Sequence, residues 1–540
     1  MTKSESLDAE GTQNTSGGLR LDTLLNWLRG MNESQMNHLV LFLSSILLVV
    51  LSCVIYLSTM SYYTTPGFTI DDSWIHLQFA RTIYQGNPWE YSPGYPSTGS
   101  TSPLWSLIIS PVFLFSSEVS GQVSGVIIIS IVFFVLATYM VGWLVSNYTD
   151  GFWWGIVASA LFVFFPRNTW LMLSGMETPL FMFMLLSSIV LLDTEDRKYD
   201  LLLGVVAGLA YLSRPEGAIV ALLIPVRYVI LLRKGSLDRT RIATFVLSGV
   251  FALAVISPWM IHCYNTTGHL LPDTFYAKVH APTPGEIAAW DGWWAYFTST
   301  IPFIILGVFP GIVLIAKGRP FPWLIPVALT VMYRLSTPYA SLINNHRYLV
   351  PVFGLLVIPA VAAVAYFLHV LAVGIFRSPD VSATSILMAA CVFLLLVMPL
   401  IPEYDAQRIY YGRAVRTVND LHVNIGHWMA ENTPDDAVFA THDAGAIRFI
   451  SNRSMIDLAG LVSPDIIHGD MTPREILSYL RQRGCDYFVV FNVFFSYWTH
   501  FLPYDAYEML YTVHIPDDIH VGGGRPDMAV YRIYWESTSY

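Results

Sequence analysis

Nine ionisable side chains placed beside long apolar runs are the residues of this chain best suited to chemistry. Asp71, Asp72 and His76 lie in TIDDSWIHLQFAR, Glu177 in SGMETPLF, Arg214 and Glu216 in YLSRPEG, Lys278 in LPDTFYAKVH, and His346 with Arg347 in NNHRYLVP. A charge at the end of an apolar run is costly unless it faces water, a partner or a substrate, so each of these groups is a functional candidate. Each also has a plainer use. The two aspartates could cap the helix that follows them, although one would suffice. Arg214 and Glu216 flank Pro215 and could pair only with each other. Glu177 could be a helix N-terminal acid, His346 and Arg347 interfacial anchors, and Lys278 a solvated loop charge.

The elements that must position these groups are membrane spans. Of 540 residues, 54% are hydrophobic and 13% charged, about half the charged share of an ordinary soluble domain. Uncharged or nearly uncharged runs fall at about 37 to 58, 121 to 146, 152 to 166, 177 to 192, 200 to 213, 215 to 232, 243 to 263, 299 to 316, 320 to 335, 347 to 373 and 382 to 402, which predicts eleven crossings. The first reads as an anchor and not as a cleaved signal, because no small-residue cleavage site follows it. Basic residues collect at 196 to 198, 227 to 241 and 317 to 319, which the positive-inside rule puts in the cytoplasm. The loop from 59 to 120 carries one Arg, no Lys and four acids and belongs outside. Parity then makes the apolar stretch 103 to 116 a helix on the membrane surface, the N-terminus cytoplasmic and the end of the chain extracytoplasmic. The pair 200 to 213 and 215 to 232 is either two short spans or one bent element.

The resulting division is a cytoplasmic tail with an amphipathic helix at 1–36, a membrane region at 37–402 and an extracytoplasmic domain at 403–540. In the last part DAVFATH, SMIDL, DYFVVFNVFF and MAVYRIYW read as strands, and PREILSYLRQRG as a helix ending at Gly484, giving a small α/β domain. The segment 86 to 105, GNPWEYSPGYPSTGSTSPLW, is too rich in Gly and Pro for a helix and too aromatic for a linker, and suits a carbohydrate or lipid-headgroup surface. Four scattered cysteines show no metal or disulfide spacing. A formal charge of −10 without a basic patch argues against nucleic acid as a partner.

DDSWIHLQFAR, the Gly-Asn turn, STSPLWSL, GMETPL and SRPEG together resemble the GT-C class of membrane glycosyltransferases, which includes protein O-mannosyltransferases, aminoarabinose transferases and arabinofuranosyltransferases. The resemblance runs through the membrane region and, more loosely, through HDAGAIRFISNRSMIDLAGLVSP. It implies a polytopic α-helical fold with a small outer domain, a polyprenyl-phosphate sugar donor, and a glycan, lipid or protein acceptor. By the same resemblance Asp71 matches the position of the general base, with Asp72 assisting or serving as the base itself. His76, Glu177 and Glu216 would contact substrate. Arg214, Lys278, His346 and Arg347 would supply the cations that hold the departing phosphate. No metal set is assigned, although a divalent cation between the aspartates and the phosphate stays open. A lipid-linked sugar transporter and a non-catalytic scaffold are the competing classes. The grouping of charges at one leaflet instead of the midplane weighs against the first.

Overall fold

The computed structural model describes residues 30–278, 311–312, 314–337, 344–371, 390–391, 394–395, 397–516, 520–521 and 525–537. The predicted amphipathic helix of the N-terminal tail and most of the predicted spans at 299 to 316 and 382 to 402 lie outside the described residues. The first long helix, Glu33–Met60, starts on a capping box: Asn32 accepts from the Gln35 backbone N–H while the Gln35 side chain accepts from that of Asn32. Among the described residues, Glu33–Met60, Val119–Thr149, Pro215–Arg233, Arg239–Thr267 and Asn344–Val370 are long and apolar enough to cross a membrane. Phe152–Phe164 and Pro166–Met172 form one further apolar path bent by 68°, at the break that Pro166 imposes. The protein is a multi-pass membrane protein.

The stretch predicted to lie on the surface folds as two short helices, Pro103–Ile109 and Val112–Phe115, broken at Pro111. The ambiguous pair resolves into two elements. Asp200–Ser213 ends at Arg214, which is extended (φ −161°, ψ 140°), and a turn at Pro215–Gly217 starts Ala218–Arg233. An Asp200–Arg227 ion pair of 2.7 Å ties their far ends, so the two helices fold back on each other with Arg214 at the apex.

The three basic segments meet at one end of the bundle. Lys234 bonds Glu195 at 2.7 Å and Arg197 pairs with Asp238 at 2.5 Å, while the Arg319 guanidinium lies 5.2 Å from the Tyr148 ring centroid. Glu177 precedes the helix Thr178–Asp193 and Glu195 follows it. At 1.5 Å per residue, this helix separates the acid from the basic loops by ~24 Å.

The C-terminal region holds a five-stranded sheet, with a separate ribbon of β1 (Glu90–Ser92) and β2 (Tyr95–Pro96) in the outer loop. The sheet strands are β3 (Val438–Thr441), β4 (Ser454–Asp457), β5 (Cys485–Phe491), β6 (Tyr507–His514) and β7 (Asp527–Ile533), in the order β4-β3-β5-β7-β6. β3 pairs in parallel with β4 and β5, and β7 pairs antiparallel with β5 and β6. One face of the sheet packs on Ile75, Phe79 and Tyr91 of the outer loop; the other covers Leu477 and Leu480 of the helix Pro473–Gln482. The sheet is therefore built against the segment that carries the paired aspartates. Three features differ from the sequence reading. β5 ends at Phe491 and the chain turns into a helix at Asn492–Trp498. β6 was hidden because an edge strand with mostly exposed positions shows no clean alternation. Chain 401 to 432 is also continuous helix, Ile401–Val418 and Asn424–Asn432 joined by a π-helical turn at Asn419–Val423. Its first part stays on the bundle, where Tyr404 and Tyr411 pack on Tyr56 at 5.3 and 5.7 Å.

Candidate active site

The helix Asp72–Tyr84 is the platform of the site, with nearly every side chain from Ser73 to Ala80 buried. Ser73 Oγ donates to the Ser174 carbonyl at 2.7 Å and Trp105 Nε1 to the Gly175 carbonyl at 3.1 Å, so the platform and the STSPLW helix together hold the SGMET turn. Gly175 is in the left-handed region (φ 84°), and a Cβ there would strike the Phe68 ring. Only glycine lets the chain turn this sharply and present Glu177 inward.

Glu177, 1% exposed, accepts from Arg214 Nη1 at 2.6 Å and faces His76 Nε2 at 3.2 Å. Arg214, 2% exposed, also holds Glu216 through Nη2 at 2.9 Å and stands 4.7 Å from the Tyr348 ring. Across the same cleft Arg347 Nη2 meets Asp72 Oδ2 at 2.5 Å. Burial works to raise the Asp72 pKa, but Arg347, with Lys278 and His76 behind it, outweighs burial and holds the carboxyl well below the usual range. Asp72, His76, Glu177, Arg214, Lys278 and Arg347 thus line one cleft. Lys278 makes no ion pair among the described residues. Thr101, Thr274, Lys278 and Tyr348 also border a neighbouring, mainly apolar pocket walled by Phe275, Met332 and Tyr333.

Three of the expected site residues stand elsewhere. Glu216 borders the apolar pocket and is taken up by Arg214. His346 is absent from the cleft lining: it ends a run of three left-handed residues, Asn344, Asn345 and His346 (φ 50°, 60° and 58°), which delivers the next residue, Arg347, to Asp72. Asp71 is not a cap for its own helix, since its backbone is already helical and its side chain makes no cap bond. Its Oδ2 accepts from the Gly445 N–H and its Oδ1 from the Ala446 N–H, each at 2.7 Å. The carboxylate therefore faces the C-terminal region instead of the Arg347 side of the cleft. Burial pushes its pKa up to about 6; His422 opposes that rise, Asp443 adds to it, and the two N–H bonds lower it. A Cβ on Gly445 would run into the Asp71 carbonyl.

The cleft's chemistry suits an anion. Each of its two carboxylates is held by a guanidinium group, and among the described residues no group of three His, Cys, Asp or Glu is arranged to hold a metal ion. Thr101, Thr274 and Tyr348 escaped the sequence reading because neutral residues carry no signal of their own; Thr101 lies in the STSPLW stretch that was singled out.

The sequence profile of the dolichyl-phosphate-mannose-protein mannosyltransferase family matches residues 102–262, and a domain of unknown function, DUF8728, matches residues 407–531. No curated protein matches the chain. Among solved structures, apo ArnT from Cupriavidus metallidurans superposes with a TM-score of 0.57 at 13% identity, over 92% of this chain and 98% of that one. The apo oligosaccharyltransferase of Archaeoglobus fulgidus gives 0.56 at 13% identity, over 84% of this chain and 69% of that one.

The chain has the GT-C fold.

A second ArnT structure, bound to undecaprenyl phosphate, superposes with a TM-score of 0.54 at 14% identity, over 92% and 99% of the two chains. At such identity the likeness is one of fold. Within this GT-C fold the cleft draws Glu177 and Arg214 from the part matching the mannosyltransferase profile, whereas Gly445 comes from the part matching DUF8728. Asp71, Asp72, Lys278 and Arg347 lie outside both matches.

Proposed function

We infer that the protein is a membrane glycosyltransferase that moves a sugar from a polyprenyl-phosphate donor to an acceptor hydroxyl at the extracytoplasmic face. The observation that carries this reading is the ammonium of Lys278, in no ion pair among the described residues, on the boundary between a polar, cation-rich cleft and an apolar pocket. A lipid phosphate needs that combination: an apolar wall for the first prenyl units and a cation for the charge that develops as the sugar leaves. Support also comes from the solved structures that share the fold, one with undecaprenyl phosphate and one, the AglB oligosaccharyltransferase of Archaeoglobus fulgidus, with dolichol-phosphate. The extracytoplasmic placement rests on the positive-inside rule, the cleft lying at the end of the bundle away from the basic loops.

The two aspartates divide the work. Asp72, held strongly acidic by Arg347, is a poor proton acceptor and serves to fix that guanidinium beside the donor's phosphate. Asp71, whose carboxylate faces the C-terminal region, is the better base for an acceptor that reaches the cleft from that side, because a carboxyl with a pKa of about 6 is mostly ionised at neutral pH yet binds a proton firmly enough to pull one from an alcohol. Each of its oxygens accepts one backbone N–H and keeps a second lone pair for an acceptor hydroxyl. In the reaction the acceptor oxygen bonds to the anomeric carbon, the bond from that carbon to the phosphate oxygen breaks, the hydroxyl proton goes to Asp71, and the electron pair leaves with the lipid phosphate. His76, through Glu177, is placed to orient the sugar.

Purified protein given dolichyl-phosphate [3H]mannose and undecaprenyl-phosphate-linked hexose with a crude acceptor fraction tests the reading. Asp71→Asn should lower transfer by about 10²- to 10⁴-fold, the range for removing a general base, while donor binding is kept. Undiminished transfer by that variant overturns the role of Asp71, and transport of the intact donor without transfer overturns the enzyme.

A further inference from the structure

We propose that the buried His422–Asp443 pair of the C-terminal region is a positioning device for Asp71, holding its carboxylate in the ionised form that can take an acceptor's proton. This rests on the reading of Asp71 as base. His422 belongs to the π-helical turn Asn419–Val423. Such turns insert one residue into a helix and re-aim a side chain, and they recur at functional sites. Here the turn carries a histidine that is 6% exposed, with its Nε2 in ion-pair range of Asp443 Oδ2 at 3.4 Å and neither ring nitrogen hydrogen-bonded among the described residues. A buried imidazole with an open nitrogen is costly in a purely structural role. It lies instead in the field of two acids, Asp71 and Asp443.

The groups facing Asp71 come from every element packed on it. His422 supplies the balancing charge, Asp443 opposes it, the Gly445 and Ala446 N–H groups bind the carboxylate directly, and the Tyr91 hydroxyl donates to the neighbouring Ala444 carbonyl at 2.5 Å. Behind Asp443 lies Asp457, whose carboxylate accepts from the Ala459 and Val462 N–H groups at 2.8 and 3.1 Å. Arg448, next to Tyr91, bonds the Tyr91 carbonyl at 3.3 Å. Around His422 itself stand Asp71, Asp443 and the edge of Phe491, 6.2 Å between ring centroids. Asp443, Gly445 and Ala446 sit on one short loop, so the group that binds the carboxylate and the acid that holds His422 are fixed to each other by covalent chain. Burial would drive the carboxyl neutral, and His422 is the cation beside Asp71 that opposes it, burial tending to lower its own pKa but the two acids raising it on balance. A neutral side chain at 422 should therefore leave Asp71 protonated over more of the physiological range, with the fold and the donor cleft intact.

The experiment titrates the carboxylic acid C=O stretch by infrared spectroscopy on the full chain in detergent micelles. Asp457 is pushed up by burial to about 7 and absorbs in the same region, so the Asp71 band is assigned by its loss in Asp71→Asn. His422→Gln should shift the midpoint of that band upward by about one pH unit, a tenfold gain in proton affinity of the size a neighbouring charge produces. The acidic limb of the transfer profile should move with it, while the alkaline plateau stays within a few-fold of wild type. His422→Asn, a smaller neutral variant, should give the same sign if Gln does not fit, and His422→Lys, which keeps a cation, should restore the wild-type midpoint. An unchanged or lowered midpoint in both neutral variants overturns the proposal. The titration reads the coupling whether or not Asp71 is the base; undiminished transfer by Asp71→Asn would instead overturn the reading beneath it.

Discussion

Replacing Arg214 with Met removes a guanidinium that bonds two carboxylates at once, Glu177 at 2.6 Å and Glu216 at 2.9 Å. Glu216 borders a pocket and can rehydrate, but Glu177 is 1% exposed and keeps only His76 at 3.2 Å. Breaking a buried pair from one side costs about 3–5 kcal/mol. An independent bound comes from the escape open to the stranded acid, which is to take up a proton. At about 1.4 kcal/mol per pH unit above an ordinary glutamate value near 4.3, that escape costs about 4 kcal/mol at pH 7 and about 1 kcal/mol at pH 5. The two routes agree at neutral pH, and the second adds a sign: the destabilisation by Arg214→Met should shrink as pH falls, because the proton becomes cheaper to bind. Adding Glu177→Gln removes the stranded charge, so the double variant should recover about half or more of the loss at pH 7 and no more than about 1 kcal/mol at pH 5. Thermal unfolding in detergent micelles, read by tryptophan fluorescence at one scan rate, measures this. A single variant as stable as wild type at pH 7, or a double variant less stable than the single, would refute the reasoning.

Three further outcomes follow from the site. Transfer should fall about tenfold per pH unit below about 6, since Asp71 is ionised above its pKa of about 6 and a protonated carboxyl cannot accept the hydroxyl proton; a profile flat from pH 7 to pH 5 contradicts this. Gly445→Ala places a Cβ against the Asp71 carbonyl, 2.8 Å from the Asp71 Cγ, so the loop must retreat and lose its two N–H bonds. At least a tenfold loss of transfer, with donor affinity kept, is expected from steady-state kinetics. Lys278→Met removes the cation where the cleft meets the apolar pocket; binding of undecaprenyl phosphate should weaken by about 1.5–3 kcal/mol, the worth of a hydrogen bond to a charged group, and farnesol, which lacks the phosphate, should bind as before.

What the sequence by itself determined was whatever depends on composition and on local period. Eighteen or more apolar residues in a row have few alternatives to a spanning helix, so Val119–Thr149 and Arg239–Thr267 were legible at once. The strands β3, β4 and β7 follow from short β-rich runs, and the helix Pro473–Gln482 from its Pro start and Gly stop. The six residues that meet in the cleft were also nameable in advance, because a charge beside a membrane is costly and few purposes justify one. Partnership was not. Asp71 and Asp72 are neighbours in the chain and of one residue type, yet one is bound by Arg347, 275 positions away, and the other by Gly445 and Ala446, 374 and 375 positions away. No local pattern encodes contacts across such separations, and their result is one strongly acidic carboxyl beside one with a pKa of about 6. His422 carried no sequence signal, and Asp443, although it lies in the HDAGAIRF stretch, carried none that tied it to Asp71, since a histidine on an otherwise ordinary helix acquires meaning only when a π turn and the packing of the sheet on the outer loop bring it to Asp71. Acidity and proton affinity are properties of the surroundings of a group, and those surroundings exist only once the chain is folded.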